Sequence, residues 1–145
     1  MSIENYAREE LDLLLSFLEP LNEYDREEAI SDRCAETHVD SRPSVRSLID
    51  KEYFLDPWYS KATLGEKAKL STILLRAMKD ESFDFEWLTI DHDGTFVLAA
   101  CFGEGRARML YEEVYRAVFD HWGRELQAAG LVLTPPLDLG LPALS

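Results

Sequence analysis

Along most of this 145-residue chain the apolar residues recur three and four positions apart, as on one face of a helix, and in one stretch they form near-continuous aromatic and β-branched runs. Ile3, Tyr6, Ala7, Leu11, Leu14, Phe17 and Leu18 mark a first helix, capped by Ser2 and stopped by Pro20, with Glu4, Arg8, Glu9 and Asp12 on its wet face. Tyr24 to Thr37 is rich in Glu and Arg and keeps only the narrow stripe Ile30 and Cys34, which predicts a mostly solvated helix. Residues 38–62 read as a loop with one or two helical turns. Ser41-Arg42-Pro43-Ser44 opens a short helix through Leu48 and Ile49, and Asp56-Pro57 forces another break. Thr63-Leu64-Gly65-Glu66 has the capping-box pattern and starts a helix to Lys79 that buries Leu70, Ile73, Leu74, Ala77 and Met78.

The runs Phe83 to Ile90 and Thr95 to Phe102 flank Asp91-His92-Asp93-Gly94, whose Asp-Gly supplies the positive backbone angles of a tight turn; a β-hairpin is predicted. Phe83, Phe85, Trp87 and Thr89 would share one face and Leu88 and Ile90 the other. Ala107, Leu110, Tyr111, Val114, Ala117, Val118, Trp122 and Leu126 then mark a long helix closed by Gly130, expected to be the central packing helix. Leu131-Val132-Leu133 is a candidate third strand, ended by Pro135-Pro136, within an extended C-terminal tail over 131–145. The expected fold is a single α+β domain over 1–145, with several helices packed on a small antiparallel sheet containing the hairpin at 83–102.

Composition adds a sign to this picture. The chain is 46% hydrophobic, which suits one folded core, and it carries a net charge of −13. Residues 1–50 hold thirteen Asp or Glu against five Arg and no Lys, so the first third contributes eight of the thirteen excess negative charges. Such a field repels nucleic acid and favours a basic partner. Met1-Ser2-Ile3-Glu4-Asn5 lacks the basic and apolar regions of a secretory signal, and no apolar run reaches membrane-span length. Cys34 and Cys101 read as reduced thiols, and the cytoplasm is the expected location.

Candidate chemistry is sparse. Cys34, His38 and Asp40 lie at a spacing conceivable for a metal site but lack the recurrent Cys or His pairs of zinc signatures, and Asp91-His92-Asp93-Gly94 lacks the further oxygen ligands of a calcium loop, so no metal is expected. His38, His92 and His121 are scattered and no Ser or Cys lies in a nucleophile-elbow context; the expectation is no enzyme and no cofactor. Gly103-Glu104-Gly105 with Arg106 and Arg108 offers a phosphate-binding alternative, opposed by the missing third glycine and by Glu104 itself. Trp58 and Tyr59 sit in a loop, where such rings either anchor an interface or plug the loop onto the core. Arg42, Arg46, Lys51 and Lys61 form nothing like a nucleic-acid stripe.

Trp87-Leu88-Thr89-Ile90-Asp91-His92-Asp93-Gly94 followed by Phe102-Gly103-Glu104-Gly105 resembles a pattern in small bacterial immunity proteins of contact-dependent and other polymorphic toxin systems. The resemblance implies cytoplasmic neutralisation of a cognate toxin domain. Together with the acidic field it leads to the expectation of a protein that binds a basic toxin domain, foremost a nuclease, and occludes its active or substrate-binding site. Glu23, Asp25, Glu27, Glu28, Asp32 and Glu36 are the candidate contact carboxylates, with Trp58 and Tyr59 as anchors. Two alternatives stand beside it: a small-molecule or nucleotide-binding regulator or enzyme using the Gly103-to-Arg108 turn, and a nucleic-acid mimic that blocks a DNA- or RNA-binding protein. Direct binding of nucleic acid or membrane is not expected, and the sequence leaves the oligomeric state open.

Overall fold

A computed structural model describes residues 6–19, 41–55, 59, 61–89 and 106–141. Helix α1 spans Arg8–Ser16, α2 Arg42–Ile49, α3 Leu64–Lys79, α4 Phe85–Leu88 and α5 Ala107–Ala128; α2 runs on into a π-helical turn, Asp50–Leu55, and a 3-10 turn covers Pro136–Leu139. Helix α5 is the hub, packing against α2, α3, α4 and the 3-10 turn, while α1 lies on α3. All eight apolar residues expected to face inward from α5 are buried, with Leu110, Tyr111, Val114, Ala117, Val118 and Leu126 fully so.

Local chemistry sets the helix ends. At α3 the Thr63 hydroxyl accepts from the Glu66 amide at 3.1 Å and the Glu66 carboxylate accepts from the Thr63 amide at 3.2 Å, the reciprocal pairing that the sequence pattern predicts. The Ser41 hydroxyl accepts from the Ser44 amide at the start of α2, where Pro43 needs no hydrogen bond for its nitrogen. At the end of α5 Gly130 takes the left-handed conformation, φ 97°, so that its own amide reaches the Gln127 carbonyl and the Leu131 amide reaches the Leu126 carbonyl. Helix α1 begins later than its apolar pattern suggests. Ala7 is the N-cap, with its amide held at 2.8 Å by the Glu10 carboxylate, and Tyr6 is already outside the helix.

The expected α+β architecture is not what forms. Helices account for 73% of the described residues, and none of those residues is in a strand. The first run of the expected hairpin contains α4 instead. Asp84 caps that turn, its carboxylate accepting from the Trp87 amide at 3.3 Å, and the Thr89 hydroxyl closes it by donating to the Glu86 carbonyl at 2.7 Å. Phe85 and Leu88, three residues apart, are thereby both buried against α5, whereas an alternating strand would have sent them to opposite faces. Phe83 joins them at the end of the preceding turn, its ring 4.7 Å from that of Phe85 and 4.9 Å from that of Tyr6. The turn Asp91-His92-Asp93-Gly94 and the second run, Thr95 to Phe102, lie outside the described residues, as does the solvated segment Tyr24 to Thr37. The third strand is also corrected: Leu131–Leu133 pairs with no strand among the described residues, and Leu133, Pro136 and Leu141 are buried, so this part of the tail folds back on its own chain.

Candidate functional site

Two polar features stand out along α5. The first is a buried ionic seam against α2. Glu113 sits among Leu110, Val114 and Ala117 on the inward stripe of α5 and is fully buried, so its charge demands partners. Arg42 donates to Glu113 at 2.9 Å and to Glu112 at 2.9 Å, and Arg116 donates to Glu113 at 3.0 Å. Burial works against the charge of Arg42, but its hydrogen bonds to Glu112 and Glu113 outweigh that cost and raise its pKa. One turn further along, Arg46 bridges Asp50 at 2.9 Å and Asp120 at 2.8 Å with the same balance of burial and carboxylate bonding. His121 meets Asp50 at 2.8 Å and stacks on Phe54 at 4.3 Å, which ties the π-helical turn to α5.

Behind this seam lies an aromatic nest. Phe17, Tyr53, Phe54, Tyr59, Tyr111 and Trp122 stand with neighbouring ring centroids 5.2 to 6.5 Å apart. Burial raises the phenol pKa of Tyr53, Tyr59 and Tyr111. The Tyr111 hydroxyl donates to the Leu14 carbonyl at 2.7 Å, whereas the hydroxyls of Tyr53 and Tyr59 are buried without a hydrogen-bond partner among the described residues.

The second feature is a cleft of 580 Å³ between the outer face of α5 and the returning tail. Phe119, Asp120, Gly123, Arg124 and Gln127 form one wall, and Val132, Leu133 and Pro135 the other. Phe119, Val132, Leu133 and Pro135 make part of its lining apolar, and Asp120, Arg124 and Gln127 bring polar groups to the same wall.

Of the residues singled out from sequence, Glu23, Asp25, Glu27, Glu28, Asp32, Glu36 and Trp58 lie outside the described residues, as do Cys34, His38, Asp40, Cys101 and Gly103-Glu104-Gly105. Tyr59 takes the second of its two possible roles. It is 8% exposed, tucked between Phe17, Phe54 and Trp122, and its area belongs to the core and not to an open surface. The phosphate-binding alternative meets an occupant: the Ala107 amide, at the start of α5, donates at 3.1 Å to the carboxylate of Glu86. Arg108, expected to help hold an anion, instead reaches the Met78 carbonyl at 3.3 Å and Glu112 at 3.6 Å and lies over the Phe85 ring.

Missed from sequence were Glu113 and Arg116. The signal was available: Glu113 falls three after Leu110 and four before Ala117, on the buried stripe, and a carboxylate there calls for a cation on the facing helix. Among the described residues no group of three His, Cys, Asp or Glu could hold a metal ion, and no helix is long and apolar enough to cross a membrane.

Charge divides unevenly between the described residues and the rest of the chain. The described residues hold sixteen Asp or Glu against thirteen Lys or Arg, while the remaining residues hold twelve against two. Ion pairs engage many of the former, including Arg76 with Glu10 and Lys67 with Glu125 across different helices. No protein-family model matches the chain, and comparison with curated proteins and with solved structures gives no match.

Proposed function

We propose that this chain is a non-catalytic binding protein that captures a basic toxin domain, foremost a nuclease, and blocks its active or substrate-binding surface through the acidic segment 20–40. The supporting observation is the charge division: ten of the thirteen excess negative charges lie outside the described helical body, and residues 20–40 alone carry seven carboxylates against two Arg. The described body is itself nearly balanced, and ion pairs already engage Arg42, Arg46, Lys67 and Arg76 within it. A concentrated acidic segment accelerates encounter with a cationic surface and competes with phosphate for it. The sequence resemblance to immunity proteins supplies the target class, and the charge supplies the sign of the interface.

Anchoring contacts must come from apolar surface other than Tyr59, and Trp58 is the remaining candidate of the two. The phosphate-site alternative is weaker, because Glu86 already occupies the α5 amide that it requires. The test is stopped-flow association with a basic nuclease domain encoded beside this chain. Reversing Glu27, Glu28 and Asp32 together to Lys should slow association by about tenfold or more at low salt and flatten its salt dependence. Unchanged kinetics would remove the segment from the interface. Failure of any basic domain to bind, with thermal stabilisation by nucleotides instead, would overturn the reading.

A further inference from the structure

We draw no further inference here: the strongest candidate, the groove between α1 and α3 lined by Leu13, Ala68 and Ile73 and by the Arg76–Glu10 ion pair at 2.6 Å, carries nothing because nothing in the structure shows what covers it.

Discussion

Replacing Glu113 by Ala tests whether the ionic seam is an essential joint between α2 and α5. The carboxylate is fully buried and receives Arg42 at 2.9 Å and Arg116 at 3.0 Å, so its removal takes a charge-assisted bond from each guanidinium in a poorly solvated place. Breaking a buried pair from one side costs about 3–5 kcal/mol, most of it the penalty of the charge left behind. The lower end applies here. Arg42 keeps Glu112 at 2.9 Å and its side chain is 27% exposed, so it can recover part of its solvation. A loss of about 3 kcal/mol should lower the midpoint of thermal unfolding by roughly 10 °C in a chain of this length. Urea unfolding at pH 7, followed by far-ultraviolet circular dichroism, measures the change directly. Glu113→Gln, which keeps the shape and one acceptor, should lose less. A change under about 0.5 kcal/mol for Glu113→Ala would refute the reasoning, since it would mean that the two arginines find other partners at no cost.

Removing the hydroxyls of the buried tyrosines should divide them into two groups. Tyr53→Phe and Tyr59→Phe should be neutral or stabilising because their hydroxyls have no partner among the described residues, whereas Tyr115→Phe should cost about 1 kcal/mol by removing the bond to the Thr134 carbonyl and Tyr111→Phe somewhat less, because the Leu14 carbonyl keeps the Phe17 amide at 3.2 Å; equal losses at all four positions in urea unfolding would contradict this division. Thr63→Ala should cost about 1 kcal/mol through the amide of Glu66 that it orphans, and an unchanged urea midpoint would show that water caps α3 equally well. The Ala7 amide, and after it Arg76, holds the Glu10 carboxyl below the usual glutamate range, so its contribution is complete above that range and disappears as pH falls through the lowered value. Glu10→Gln should therefore be less stable than the parent at pH 7 and converge with it in acid; a gap between the two that stays constant from pH 7 to pH 2 would exclude Glu10 as the titrating group.

The helical pattern was legible wherever local signals agreed. Periodicity, the Thr63–Glu66 capping box and the Gly130 terminus specify α3 and α5 and nearly all of their buried faces, because those features depend on residues within a turn or two of one another. The stretch from Phe83 to Thr89 was misread for an equally local reason. Its alternating aromatics satisfy a strand pattern, while Phe85 and Leu88 also satisfy a helical one, and a short apolar run does not discriminate between them. The candidate contact carboxylates rest on sequence alone, and Tyr59 moved from possible anchor to core plug because its exposure depends on Phe17, just past α1, and on Trp122 of α5.

What the amino-acid order determined by itself is the set of long helices, their inward stripes and the acidic bias of residues 20–40, all properties of neighbours along the chain. Tertiary contact decided the rest. α5 offers Phe85 and Leu88 a common apolar surface, which favours the helical turn; α2 brings Arg42 to a carboxylate 71 residues away, and the tail folds back to form a cleft beside Gly123 and Arg124. Such partners become near neighbours only after the chain has collapsed, so burial, not local preference, selects the conformation there.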